Sequence, residues 1–168
     1  MEYRHEEANK KSLCGNIVRA IAEDKNGRLW IGSNAGLSLK TNENDQFTNF
    51  QYQENSAKSL SKGEINAISV DDEGNRLWLG TGSGLDIFNT RTGEITNISY
   101  DKRNVQGLAG RTVMTVYNDH QGIYWIGTAQ GGISKYDKNL NLFNLVQSIP
   151  FDAEGLPSSI VSLSVITK

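Results

Sequence analysis

Asp24-Lys25-Asn26-Gly27-Arg28-Leu29-Trp30-Ile31-Gly32-Ser33 occurs three times in this chain with small changes. It returns as Asp71-Asp72-Glu73-Gly74-Asn75-Arg76-Leu77-Trp78-Leu79-Gly80-Thr81, and again as Asp119-His120-Gln121-Gly122-Ile123-Tyr124-Trp125-Ile126-Gly127-Thr128. The three tryptophans, all that the 168 residues contain, stand 78 − 30 = 48 and 125 − 78 = 47 positions apart. A fixed period of about 20–50 residues marks an array of one structural unit.

The unit reaches well beyond that phrase. Upstream lie Ser12-Leu13, Ser59-Leu60 and Gly107-Leu108, each followed by an apolar run. Downstream a third run opens with glycine at 36–39, 84–88 and 132–136, and a fourth run covers 47–52, 94–100 and 142–146. Four strand-length apolar segments separated by Gly, Asn, Asp and Ser make up each unit. No segment carries a helical stripe of apolar residues, so almost no helix is expected. Four strands in about 40–50 residues is one blade of a β-propeller, and the fold class is all-β. The expected organisation is a trailing strand of a preceding blade at 1–10, blades at 11–58, 59–106 and 107–154, and the first strand of a fourth blade at 155–168. On this reading the chain holds about three and a half blades of an incomplete propeller.

Local chemistry supports the blade. Asp24, Asp71 and Asp119 precede Gly27, Gly74 and Gly122 by three residues, the pattern of a type I turn with Asp first and Gly last. The second strand reads Leu-Trp-Ile, Leu-Trp-Leu or Tyr-Trp-Ile without polar alternation, as in a strand covered on both faces. Trp30, Trp78 and Trp125 are therefore expected between blades, each able to bury about 200 Å². Gly32, Gly80 and Gly127 follow two residues later, where a missing side chain permits another backbone to come close. Asn75 is a one-residue insertion in the second turn, which a loop tolerates. Cys14 takes the place of Ser61 and reads as a neutral loop substitution.

Bulk composition restricts the partners. Net charge is −2 with 17 basic and 19 acidic residues, so there is no electrostatic footprint for nucleic acid or an anionic membrane. No apolar stretch approaches membrane-spanning length. A single cysteine excludes an internal disulfide.

At these residues a family resemblance emerges. Ser-Leu-x-x-Asn-x-Val, then Asp-x-x-Gly-x-Leu-Trp-Ile-Gly-Thr, then Gly-Leu, resembles the two-component regulator propeller repeat, three times over. Departures are small: Gly63 and Arg111 stand where the first unit has Asn16, Ser33 replaces Thr, and Tyr124 replaces Leu. The resemblance implies part of the periplasmic sensor region of a hybrid two-component system from gut Bacteroidetes, anchored in the inner membrane. In such proteins paired seven-bladed propellers precede a membrane helix and a histidine kinase, and many detect oligosaccharides. It implies a non-catalytic, ligand-sensing chain without cofactor or metal.

Rival chemistries are weaker. Gly80-Thr81-Gly82-Ser83-Gly84 looks like a phosphate-cradling loop, but a helix would have to follow, and 85–88 reads as strand. His5 and His120 stand in separate loops without metal-ligand spacing. The three repeated Asp residues could be imagined on calcium, yet their place at a type I turn makes capping the better account. A propeller enzyme, such as a polysaccharide lyase or hydrolase, and a protein–protein interaction propeller are the alternative functions. In propellers the loops from fourth to first strand share a face with the second-to-third loops. Here that face carries Asn16, Asn34, Glu64, Ser83, Arg111 and Gln130, whose amide, hydroxyl and charged groups suit sugar hydroxyls. An arc of blades also exposes an apolar face at each end, which predicts a homo-oligomer.

Overall fold

The computed structural model describes residues 2–41, 45–56, 59–71, 73–104, 107–119 and 121–138, and the backbone of 142–146. Twelve strands appear, in three antiparallel sheets of four. The first contains β1 (Val18–Glu23), β2 (Leu29–Ser33), β3 (Gly36–Lys40) and β4 (Phe47–Phe50). The second contains β5 (Ile65–Val70), β6 (Arg76–Thr81), β7 (Gly84–Asn89) and β8 (Ile95–Ile98). The third contains β9 (Val113–Asn118), β10 (Ile123–Thr128), β11 (Gly132–Asp137) and β12 (Leu142–Val146). Within each sheet the strands pair in sequence order, and β1, β5 and β9 lie side by side as the inner strands of successive blades. Residues 155–168, expected to begin a fourth blade, lie outside the described residues.

Alternation along the second strand sends its side chains to two different interfaces. Trp30 leaves one face of its blade and packs with Leu37 against Leu60, Ile65, Leu77, Leu79 and Phe88 of the next. Trp78 does the same toward Leu108, Val113, Tyr124 and Ile126. The two seams share a plan but not a geometry. Trp30 meets Phe88 edge-on at 5.6 Å between ring centroids, whereas Trp78 stacks flat on Tyr124 at 3.9 Å and 15°. Burial of one indole at about 25 cal/mol per Å² contributes about 5 kcal/mol. Trp125 is only half-buried, with the Lys135 ammonium 5.7 Å from its ring.

The glycines after Trp30 and Trp78 are fixed by the following blade. A Cβ on Gly32 would stand 2.7 Å from Ile65 Cγ2, and one on Gly80 would stand 2.8 Å from Val113 Cγ1. The close approach therefore comes chiefly from a branched side chain at the start of the next inner strand. This refines the expectation of backbone against backbone.

Each turn aspartate acts as a hydrogen-bond hub. Gly27 N donates to Asp24 O at 2.9 Å, closing the type I turn, and Gly27 holds φ +72°, a conformation that favours glycine. The Asp24 carboxylate accepts Asn26 N, Arg28 N, Arg28 Nε and the Trp30 indole Nε1 at 2.7–3.1 Å. Asp119 likewise accepts Gln121 N, Ile123 N and Trp125 Nε1. Burial pushes both carboxyls up, but the donors outweigh it and hold both below the ordinary carboxylate value.

The second turn differs. Asp-to-Trp spacing is 30 − 24 = 6 and 125 − 119 = 6, but 78 − 71 = 7. Asp71 still caps the turn by accepting Asn75 N and Arg76 N. Trp78 Nε1, however, is buried without a hydrogen-bond partner among the described residues. The Asn75 insertion is absorbed by the loop at the expense of the indole's acceptor.

The N-terminal expectation needs correction. Residues 2–17 contain no strand. Part of the segment folds back on its own loop, with His5 N donating to Asn16 Oδ1 and Glu6 N to Ser12 Oγ. Tyr3 packs edge-on against Phe47, donates to Asp45 Oδ1 at 2.5 Å and lies 5.4 Å from the Lys40 ammonium. On that outward face of the first blade, Val18 and Ile21 are 41% and 63% exposed.

Trp78→Ala should cost about 3–5 kcal/mol by urea unfolding, because both of its flanking blades are in place. Gly80→Val should also destabilise, by driving a side chain into Val113. An unchanged midpoint in Trp78→Ala would contradict the seam packing.

The lowered carboxylates set a pH dependence. A depressed folded value stabilises the fold fully above the unfolded carboxylate range, near pH about 4, and the contribution is lost as pH falls through the folded value. Asp24→Asn should thus be less stable than the parent near neutral pH, and the gap should shrink in acid. Urea midpoints measured across that range check it.

Candidate functional site

The candidate surface is the end of the blades where the inner strands begin. Antiparallel order puts the fourth-to-first connections and the second-to-third hairpins together there, and hydrogen bonds join them pairwise. In the first blade Asn34 N donates to Ile17 O at 3.0 Å, and Ile17 N donates to Asn34 Oδ1 at 3.2 Å. In the second, Gly82 N donates to Glu64 O at 3.1 Å, and Ser83 Oγ donates to Lys62 O. In the third, Ala129 N donates to Thr112 O at 2.9 Å, beside Arg111 and Gln130. The six residues singled out in the sequence therefore form three pairs: Asn16 with Asn34, Glu64 with Ser83, and Arg111 with Gln130. Gly80-Thr81-Gly82-Ser83-Gly84 is the end of β6, the Gly82-Ser83 hairpin and the start of β7, so strand lies on both sides.

The six are not equally available. Asn16 Oδ1, Asn34 Oδ1 and Ser83 Oγ are engaged in holding the loops. Arg111 and Gln130 are exposed on adjacent loops. The third loop is also the tightest, since a Cβ on Gly131 would stand 2.0 Å from Ala109 O.

What fixes these loops is a buried polar latch in each blade. Cys14 N donates to Ser38 Oγ at 3.1 Å, Ser38 Oγ to Asn49 Oδ1 at 2.7 Å, and Asn49 Nδ2 to Ser12 O at 2.8 Å. In the second blade Asp86 accepts Ser61 N, Ser61 Oγ and Asn97 Nδ2 at 2.6–2.8 Å. In the third, Ala109 N donates to Ser134 Oγ at 2.7 Å. Ser38, Asp86 and Ser134 are fully buried in the third strands, where an unpaired polar group would be costly. Cys14 is thus no neutral loop residue: its side chain is buried, with its Sγ 3.1–3.3 Å from the Ser38 and Ser33 hydroxyls. The latch was visible as spacing, since 86 − 38 = 48 and 134 − 86 = 48.

A second missed feature is a β-bulge near the start of every inner strand, where the register shifts between Val18 and Ala20, between Ile65 and Ala67, and across Val113 to Thr115. Arg19, Asn66 and Met114 are the extra residues. A bulge re-aims a side chain and sharpens local twist. Asn66 Nδ2 reaches across to Val113 O at 2.9 Å, and Thr112 Oγ1 donates back to Gly82 O at 3.3 Å, so the second and third loop pairs are tied together.

With this geometry in place, comparison with known proteins gives a family. The two component regulator propeller family matches residues 12–35, 59–83 and 107–130, one match per blade. Each blade thus carries one two-component regulator propeller repeat. Among solved structures it is similar to the extracellular domain of BT3049, described as a hybrid two component system of B. thetaiotaomicron, at 23% identity and TM-score 0.77, over 95% of this chain and 22% of that one. It is also similar to the extracellular domain of BT4673, described as a one component system of the same organism, at 18% identity and TM-score 0.72, over 93% of this chain and 20% of that one. These repeats therefore span about a fifth of the length of either neighbour. No curated protein matches the chain.

Proposed function

We propose that these regulator propeller repeats form part of an extracytoplasmic sensor, without chemistry of their own, that binds oligosaccharide across the loop rim and passes the signal to a two-component system. The observation that carries this reading is the family match in all three blades. Its support is the rim itself, where amide, hydroxyl and guanidinium groups from three blades converge on loops held by buried latches. Pre-organised polar groups on a rigid scaffold bind at low entropic cost, which suits a ligand rich in hydroxyls. The placement outside the cytoplasm rests on the likeness to extracellular domains.

The intact receptor carrying Asn34→Ala, Arg111→Ala and Gln130→Ala together should lose its ligand response while its receptor level is unchanged. A reporter driven by the receptor reads this directly. A response equal to that of the parent would overturn the placement.

We also propose that a second copy covers the outward face of the first blade. Val18 is 41% exposed there, whereas Ile65 and Val113 at the same place in the next blades are 1% and 0% exposed, each covered by the preceding blade. Light scattering at micromolar concentration should then report a dimer. A stable species of 18.6 kDa would contradict it.

A further inference from the structure

Charged side chains look scattered along the sequence, but the fold gathers three cations on the inner rim, one from each blade. Arg19 is the bulged residue of β1, Lys62 precedes β5 by three residues, and Arg111 precedes β9 by two. All three are exposed. The ion pairs among the described residues engage Arg4, Arg28, Lys40, Arg103 and Lys138, and none of these three. Lys62 lies 6.0 Å from the Tyr52 ring, which leaves its charge unneutralised. The neighbouring hairpins Asn34-Ala35, Gly82-Ser83 and Ala129-Gln130-Gly131 carry no charge. Over residues 14–19, 61–66 and 109–114, which lead into the inner strands, Glu64 is the one carboxylate, so their balance is 3 − 1 = +2 in a chain whose net charge is −2. The opposite end holds the turn carboxylates Asp24, Asp71, Asp119 and Glu73.

Neutral sugar hydroxyls are satisfied by amides and other hydroxyls, and they gain little from unpaired cations on the same rim. Like charges on one rim raise the local positive potential and attract anions. The guanidinium of Arg111 adds a planar fork that matches a carboxylate or sulfate, with the Gln130 amide on the adjoining loop. We infer that the oligosaccharide bound at this rim is acidic, carrying uronate carboxylates or sulfate esters that Arg111, Lys62 and Arg19 recognise. This inference rests on the preceding reading that sugar binds at the rim.

The test is calorimetric titration of the protein with tetragalacturonate, which has carboxylates alone, with a chondroitin sulfate tetrasaccharide, which has both anions, and with neutral galactotetraose. At least one acidic glycan should bind about tenfold or more tightly than the neutral one, and its affinity should fall as salt is raised. The comparison of the two acidic glycans tells whether the carboxylate suffices. Arg19→Gln, Lys62→Gln and Arg111→Gln together should abolish the preference without moving the melting temperature. Equal or tighter binding of galactotetraose, or an acidic preference unchanged in the triple variant, overturns the inference. Galactotetraose binding that is lost in Asn34→Ala with Gln130→Ala would remove the charge inference and keep the rim. Failure of all three sugars to bind would remove both.

Discussion

Everything in this structure depends on an indole from one blade settling onto the aliphatic face of the next. A four-stranded sheet has two apolar faces and no means of burying either alone, so a blade becomes stable only against a neighbour. The second strand meets this requirement with alternate side chains: Trp30 points forward, while Leu29 and Ile31 point back. Ile65 and Val113 can lie over the preceding blade only because Gly32 and Gly80 have no side chain to exclude them. Trp, Gly and a branched residue at the start of the next inner strand therefore act as one unit, repeated down the chain. Such stacking makes stability close to a sum of neighbouring interfaces.

The same repetition builds the functional end. Because the inner strands begin side by side, whatever precedes them is delivered to one rim at intervals of one blade. The latches at Ser38, Asp86 and Ser134 convert this proximity into fixed positions, since they tie the incoming loop to the third strand of its own blade. Variation is then confined to residues that neither pack nor latch. Arg111 and Gln130 are of that kind, and so is the bulged Arg19.

Much of this was legible in the sequence, because the fold repeats and repetition separates signal from accident. Three tryptophans at fixed spacing gave the blade, and Asp with Gly at a three-residue interval gave the turn. Position on the rim followed from strand order alone. Other features left no such trace. A bulge adds one residue without changing the apolar pattern, so Arg19, Asn66 and Met114 read as ordinary strand. The effect of Asn75 on Trp78 depends on which way an indole nitrogen points, and a linear pattern is silent about that. Residues 1–10 read as a trailing strand, yet His5 N and Glu6 N donate to Asn16 and Ser12 side chains and residues 2–17 form no strand. Cys14 was misread because its equivalents, Ser61 and Ala109, share no side-chain chemistry; all three serve the latch through the backbone N–H.

The central claim is that Trp30 and the following blade stabilise one another across the seam. A double-mutant cycle on Trp30→Ala and Leu79→Ala, measured by urea unfolding, tests it most directly. Residues in contact within one cluster should couple by about 0.5–3 kcal/mol, so the double variant should lose less stability than the two single losses added together. Strictly additive losses would mean that the indole and the next blade do not share an interface.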